Sequence, residues 1–383
     1  MSELKVDIVG VDALGEADWA EWHAMLAADP ALNSPYFRPE FTQVAARISP
    51  EATVAVFRRD GRVVGFFPHQ KRGGAMQPLA APMNDYHGII ARPGEAPSLE
   101  EAASLLGASR LNVTAWVGET GLGEPRRTVQ VQLGEDGYDG WYAERRAAQG
   151  KFFKDKERAR RSMQAELGEL RVERGLRDPA MLDWLIALKR DQYRRTNRHD
   201  IFACGWTVRL LHALMATELE DFGASMAALW AGEKLVAVEY SLLAGDQCHF
   251  WFPGYEPSLA RCSPGILLSM DTMRLASAQG YRTFDFGFEG EHYKKYFCNA
   301  ERWVREAMVV KPGLGAAMSQ AAVQALNVAG GGRGDRLRAS VRRRWAAIEA
   351  CETTPGDRFR GAVQAAGAAF AKARSGAARS VSA

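Results

Sequence analysis

Residues 236–297 decide the fold, and they read VAVEYSLLAGDQCHFWFPGYEPSLARCSPGILLSMDTMRLASAQGYRTFDFGFEGEHYKKYF. Two apolar runs joined by the short Gly/Asp turn at 244–246 predict a β-hairpin. After a loop, Pro264 opens a helical pattern that ends before Gly280, because Pro is favoured in the first turn of a helix and Gly just past its end. A buried strand over 283–288 follows.

The helix start at Ser263-Pro264-Gly265 has the features of an anion-binding site. The first N–H groups of a helix lack an intrahelical partner, and the helix dipole places positive charge there. Gly265 carries no side chain, so a pyrophosphate can approach the backbone closely. This pattern predicts a site for a phosphate-containing ligand.

Three motifs of this stretch match one known family. They are Ser263-Pro264-Gly265 at the helix start, Phe284-Asp285-Phe286-Gly287 on the next strand, and Tyr293-Lys294-x-x-Phe297 after it. With them the segment resembles the acyl-CoA half of the GNAT N-acetyltransferases. It most closely resembles the subgroup of exopolysaccharide and cellulose-biosynthesis acetyltransferases, which is related to the Fem-type aminoacyl transferases.

The resemblance implies acetyl-CoA as the acyl donor and no metal. It implies that pantetheine lies between the strands at 235–243 and 283–288. A surface lysine pair is the alternative for Lys294. The residues expected to bind the donor are Arg261, Ser263, Gly265, Ile266 and Lys294.

Helix and strand signals occur in the same order in two parts of the chain, 1–140 and 175–310. We therefore predict an α/β fold of two tandem GNAT-like lobes, as in Fem-like proteins, with a basic helical C-terminal extension. The predicted divisions are a degenerate lobe at 1–145, a charged linker helix at 146–174, an acyl-CoA-binding lobe at 175–312 and an Ala/Arg-rich extension at 313–383.

The composition is that of an ordinary soluble chain. The 383 residues are 47% hydrophobic and 25% charged, with a net charge of +3. No apolar run reaches the roughly 20 residues of a membrane span, and the N-terminus lacks the features of a secretory signal. The five Cys are dispersed, which favours reduced thiols over disulfides or a zinc site. We expect a cytoplasmic protein, and the alternative is peripheral attachment to the inner membrane.

Acyl transfer to an amine needs a base for the amine proton and a donor for the thioester oxyanion. Glu239 and Asp285 are the acid–base candidates, because each carboxylate interrupts an apolar strand. Tyr255, in the loop over the expected acceptor site, is the third catalytic candidate. The alternatives are an outward-facing Glu239, a loop-capping Asp285 and a packing Tyr255.

Both halves are expected to contact the acceptor, since the Fem-like resemblance implies a cleft between the lobes. The polar loop at 85–87 lies in the first half, and Trp206 follows a basic loop that would close over the acceptor. The alternatives are a simple turn at 85–87, a solvated basic loop before Trp206, and a core or surface position for His249. The predicted acceptor residues are Asp85, Tyr86, His87, Trp206 and His249.

Residues 331–383 contain ten Arg, one Lys and four acidic residues, which gives this segment a net charge of +7. The apolar spacing predicts one helix face formed by Leu337, Val341, Trp345 and Ile348. One interpretation is a helix that docks by this face. The other is an anion site for cyclic di-GMP or anionic lipid, since Arg pairs well with phosphate and Trp stacks or lies in membrane interfaces. That site would comprise Arg342, Arg343, Arg344 and Trp345.

The resemblance implies an N-acyltransferase that moves an acetyl group from acetyl-CoA to an amino sugar of an exopolysaccharide or adhesin precursor. One alternative is Fem-type aminoacyl transfer to a peptidoglycan precursor. It would bring a coiled-coil arm and a basic tRNA face, whereas no long heptad is present and residues 1–330 carry −4, so no nucleic acid is expected. The other alternative is a non-catalytic GNAT-fold ligand sensor, favoured by the low Gly content of the phosphate loop and opposed by the two aromatic motifs.

Overall fold

Strands and helices follow the same order in both halves of the chain. The computed structural model describes residues 3–49, 51–72, 75–196, 198–311 and 343–363. The first half contains β1 (Leu4–Val9), α1 (Glu16–Ala28), α2 (Pro39–Ile48), β2 (Ala52–Arg59), β3 (Arg62–Arg72), β4 (Ala75–Pro78), β5 (His87–Gly88), α3 (Leu99–Leu105), β6 (Arg110–Val117) and β7 (Glu124–Gln132).

Two helices connect this half to the second, α4 (Gly137–Ala148) and α5 (Gly150–Leu167). The second half contains β8 (Leu170–Leu176), α6 (Pro179–Arg195), α7 (Trp206–Ala216), β9 (Phe222–Ala231), β10 (Lys234–Ala244), β11 (Gln247–Tyr255), α8 (Pro264–Ser277), β12 (Thr283–Phe288), α9 (Lys294–Phe297) and β13 (Ala300–Val310). The repeated order and the predicted α/β class are thereby confirmed.

All thirteen of these strands belong to one sheet, and the two halves exchange a strand within it. The order is β1-β2-β3-β4-β6-β13-β7-β12-β11-β10-β9-β8, with β5 beside β6. Thus β13 of the second half lies between β6 and β7, and β7 of the first half lies between β12 and β13. Each half also has a parallel pair at the equivalent place, β4 with β6 and β11 with β12.

The predicted hairpins form where turn residues interrupt apolar runs. β2 and β3 pair in antiparallel fashion around Asp60 and Gly61, which both have the positive φ that such a tight turn requires. β10 pairs on one side with β9 and on the other with β11. The second pairing confirms the hairpin at the centre of the deciding stretch, and the helix predicted from Pro264 is α8.

Helices cover both faces of the sheet. α1, α2, α6 and α7 contribute to the largest apolar core, which includes Trp22, Phe41, Leu182 and Leu210. On the opposite face, α8 packs through Met270 and Met273 on the strands of the second half. Among the described residues, no helix is both long and apolar enough to cross a membrane.

The predicted linker helix and part of the C-terminal extension pack on this framework. α5 buries Phe153 and Met163, so it is an integral helix with one solvated face. In the extension, residues 343–351 and 355–363 are helical. Ile348 is buried there, whereas Trp345 is 40% exposed. The other members of the predicted apolar face, Leu337 and Val341, lie outside the described residues.

Candidate active site

A gap opens in the sheet between β11 and β12. The two strands pair in parallel over three positions, from Gln247 opposite Thr283 to His249 opposite Asp285. Beyond these pairs β11 continues to Tyr255. The Tyr255 ring lies beside the start of α8, because a Cβ placed on Gly265 would be 3.5 Å from it. The gap therefore leads from the paired segment to the N-terminal end of α8.

The expected place of the pantetheine, between the strands at 235–243 and 283–288, is wrong. Those strands are β10 and β12, and β11 lies between them. β10 uses both of its edges for β9 and β11, so it has no open edge towards β12. The space that an extended ligand can enter is the one between β11 and β12.

A cation lies at the start of α8. Lys156 of α5 donates a 2.8 Å hydrogen bond from Nζ to Oγ of Ser263, and burial lowers the pKa of this lysine. Ser263 itself has a positive φ of 51° as it enters the helix. A methyl group on Gly265 would make only an ordinary contact with Tyr255, so the fold alone does not require glycine there.

Two other residues predicted to bind the donor already have charged partners. Arg261 forms an ion pair with Glu166 on the surface of α5. The ammonium group of Lys294 lies 2.7 Å from Glu291 and donates hydrogen bonds of 2.6 and 2.7 Å to the carbonyls of Phe286 and Phe288. These three acceptors match its three protons, so Lys294 fixes the loop after β12. The fifth residue, Ile266, lies in the first turn of α8 and packs, partly buried, against the apolar cluster beneath the helix.

Glu239 lies beneath α8 in the second half. Its side chain is 2% exposed and accepts a 3.0 Å hydrogen bond from Ser269 of α8. Burial raises its pKa to about 8, even though the Ser269 hydrogen bond and the charge of Lys189 act in the opposite direction. On β11 its opposite residue is Pro253, in the part of the strand that has left β12. Tyr255, the third catalytic candidate, is exposed at the end of this strand.

Asp285 lies fully buried at the floor of the gap. It accepts hydrogen bonds of 2.7 Å from the Tyr86 hydroxyl, 2.9 Å from Gln130 and 2.7 Å from the N–H of Gly287. Burial would raise its pKa, but the cation of His249 and the hydrogen bonds from Tyr86 and Gly287 outweigh it and lower the pKa to about 2. Asp285 is therefore an ionised carboxylate and a weak base.

His249 connects Asp285 with the first half. Its Nε2 lies 3.1 Å from Asp85 Oδ2, and its Nδ1 lies 3.5 Å from Asp285 Oδ1. Burial would lower the pKa of His249, but Asp285 and Asp85 outweigh it and raise the pKa to about 9. The three side chains form a charged chain across the two halves, and Asp85 is its exposed end.

The structure brings Asp85, Tyr86 and His249 together, but it separates His87 and Trp206 from them. His87 is buried within the first half, where its Nε2 lies 3.0 Å from the carbonyl of Asn84 and burial lowers its pKa to about 4. Trp206 is buried in α7 and donates a 3.1 Å hydrogen bond to the carbonyl of Cys351 in the extension. Trp206 thus binds the docked C-terminal segment.

Several site residues were not predicted from the sequence. Gln130 contacts Asp285, Lys156 contacts Ser263, and Ser269 contacts Glu239. The alternating polar pattern of β7 was a usable signal for Gln130. No local signal distinguishes Lys156 from the other basic residues of its helix.

The predicted tail anion site is only partly described. Arg343 contacts Glu306 at 3.2 Å, and Arg344 is half-buried. Arg342 lies outside the described residues, so binding of cyclic di-GMP or anionic lipid stays a prediction. In the described ranges, no group of three or more His, Cys, Asp or Glu side chains is placed to hold a metal ion.

Residues 150–295 match the family model described as an acetyltransferase (GNAT) domain. The match confirms the predicted GNAT-type transferase domain in the second half. No curated protein sequence matches the chain.

Three solved structures illustrate the similarity. The C-terminal domain of a putative lysylphosphatidylglycerol synthetase from Agrobacterium fabrum is 14% identical, with 82% of this chain and 98% of that chain covered and a TM-score of 0.46. FemX is 12% identical, with 76% of this chain and 94% of that chain covered and a TM-score of 0.46. A tandem GNAT protein from the clavulanic acid biosynthesis pathway is 9% identical over 81% and 100%, with a TM-score of 0.45.

Proposed function

We propose that the protein transfers the acetyl group of acetyl-CoA to the amino group of an amino sugar that enters an exopolysaccharide or adhesin precursor. One observation carries the proposal. In the segment that matches the GNAT domain, β11 and β12 part after His249 and Asp285, and the gap leads to the N-terminal end of α8. An extended pantetheine chain would occupy the gap, and the CoA pyrophosphate would lie at the helix end.

The residues at this helix end fit a diphosphate. Backbone N–H groups and the helix dipole favour an anion at the start of α8. Lys156 lies beside Ser263 and, among the described residues, has no carboxylate within ion-pair distance. Phosphate oxygens would replace the Ser263 hydroxyl as its acceptor.

Acetyl transfer forms a C–N bond and breaks the C–S bond of the thioester. The bound ammonium group first loses one proton to become a free amine. The amine attacks the carbonyl carbon and loses a second proton as the amide forms, and the CoA thiolate leaves and takes up one proton, so one proton is released overall. We assign the role of general base to Glu239, whose pKa of about 8 suits removal of a proton near neutral pH. Asp285, with a pKa of about 2, instead holds His249 in its charged form.

Calorimetry with acetyl-CoA tests the donor site, and release of CoA thiol in the presence of D-glucosamine tests the reaction. Gly265→Glu would place bulk and negative charge at the pyrophosphate position, so it is expected to abolish acetyl-CoA binding. Gly265→Ala is the matched control, because the added methyl would make only a van der Waals contact with Tyr255. Equal acetyl-CoA affinity in folded Gly265→Glu and in wild type would refute the assigned site.

A further inference from the structure

We propose that Asp85, from the first half, binds the protonated amino group of the acceptor and thereby selects amino sugars over neutral sugars. The inference rests on the proposed function and adds to it a specificity residue supplied by the half outside the family match. His249 and Asp285 act as positioning residues that hold the Asp85 carboxylate in place.

The first argument concerns the side of the sheet from which Asp85 approaches. Neighbouring residues of a strand point to opposite faces. Phe250 packs in the same cluster as Met270 of α8, so His249 points away from α8. His249 instead contacts the rings of Tyr36 and Tyr86. Asp85 therefore lies on the face opposite α8, whereas Glu239 lies on the α8 face beside Ser269. The amino group would bind at Asp85 and then enter the gap between β11 and β12, where it would meet the thioester and the base.

The second argument is that Asp85 has a free oxygen in a fixed position. Oδ2 lies 3.1 Å from His249 Nε2, whereas Oδ1 has no partner among the described residues. The side chain is 29% exposed, while His249 and Asp285 are 1% and 0% exposed. Gly287 of β12 lies beside Asp85, because a Cβ placed on Gly287 would be 3.8 Å from Asp85 Oδ2. The free oxygen thus belongs to the edge of the gap.

The third argument is charge balance. Two carboxylates share one imidazolium, which leaves one negative charge at the exposed end of the chain. The nearby guanidinium of Arg302 lies over the ring of Tyr86 and donates through Nη2 to the carbonyl of Asn33, while its Nη1 is buried without a hydrogen-bond partner. Among the described residues Arg302 forms no ion pair with Asp85. An ammonium group would supply the missing cation, whereas the hydroxyl of a neutral sugar would not.

Equilibrium binding with the full chain tests this inference. D-glucosamine and D-glucose are titrated into wild type, Asp85→Asn and Asp183→Asn in saturating CoA, which permits no turnover. Asp183 is a matched control because it contacts His212 at 3.0 Å in an exposed Asp–His pair on α6 and α7. Wild type and Asp183→Asn are expected to prefer glucosamine, and Asp85→Asn is expected to bind it about 10- to 100-fold more weakly.

Two further measurements separate binding from structure. Asp85→Glu keeps the charge and is expected to restore the preference for glucosamine. In steady-state assays, Asp85→Asn is expected to raise KM for glucosamine while kcat stays within a few-fold. If Asp85→Asn melts early, Asp85→Ser replaces it, since Ser is neutral and smaller.

The outcomes distinguish this inference from the proposed function. Wild type that binds acetyl-CoA but binds glucosamine and glucose equally refutes the role of Asp85 and leaves the donor site intact. Unchanged glucosamine affinity in Asp85→Asn, or a loss of kcat at unchanged KM, also refutes it. Wild type that binds no acetyl-CoA refutes the proposed function, and the inference with it.

Discussion

The hydroxyl group of Tyr86 donates a 2.7 Å hydrogen bond to the carboxylate of Asp285, 199 positions further along the chain. The bond joins a loop of the first half to a strand of the second, at a point where neither side chain is exposed. Because Asp285 also faces the cation of His249, the two halves share a buried charged network.

Asp285→Asn should therefore destabilise the protein. His249 keeps Asp85 as its counterion, but the neutral amide loses the buried ion pair and cannot replace the carboxylate as acceptor for Tyr86, Gln130 and Gly287, which costs about 1–3 kcal/mol. Chemical denaturation followed by circular dichroism measures the loss. Asp183→Asn, which removes an exposed carboxylate beside a histidine, should change the free energy of unfolding by less than about 1 kcal/mol. Similar losses in both variants would contradict the importance of the buried network.

Glu239→Gln should lower turnover by about 10²- to 10⁴-fold, because it removes the assigned general base. The base acts as a carboxylate and its pKa is about 8, so the wild-type rate should rise with pH and level off above that value. The variant should lose this rise while it retains affinity for acetyl-CoA. A rate–pH profile with glucosamine provides the measurement. A variant with the wild-type profile would place the base elsewhere.

Lys156→Ala should weaken acetyl-CoA binding about tenfold, because a charge-assisted hydrogen bond to the pyrophosphate would be lost. Lys154→Ala is the control, since Lys154 is an exposed lysine on the same helix. Calorimetry at fixed ionic strength compares the two variants. Equal affinities would mean that Lys156 serves only to hold Ser263.

Ile348→Ala should loosen the packing between the two helical stretches 343–351 and 355–363 of the extension. Ile348 is 1% exposed, and a Cβ on Gly361 would lie 2.9 Å from its side chain, so the two helical stretches meet at this residue. Deletion of a buried aliphatic side chain costs about 2–5 kcal/mol. Trypsin cleavage within these stretches should become at least about tenfold faster. Trp345→Ala, at a side chain that is 40% exposed, should change the rate little.

The sequence was sufficient for the local elements of the fold. Asp60-Gly61 and the turn at 244–246 mark hairpins because few residues adopt the backbone angles of such turns. The repeated order of elements predicted two similar halves. The strand exchange was not predictable, because the partners of β7 lie far along the chain and its own residues suit many neighbours.

The site was predictable as a set of residue types, but the roles of those residues were not. Glu239 and Asp285 look alike in the sequence, each a carboxylate in an apolar strand. The structure gives Glu239 one hydroxyl partner and a pKa of about 8, and it gives Asp285 a cation, several donors and a pKa of about 2. The low pKa of Asp285 comes mainly from His249 and then from Tyr86, which are 36 and 199 positions away along the chain.

The strand exchange also constrains how the chain is synthesised and folded. Both neighbours of β7 belong to the second half, β12 on one side and β13 on the other. When the ribosome has released residues 1–145, β7 has no strand to pair with, and β6 still lacks β13. The first half cannot complete its part of the sheet until residue 310 has emerged. Until then its unpaired strand edges are exposed and prone to aggregate. A gene split within the linker should therefore yield two fragments that become soluble only when they are produced together.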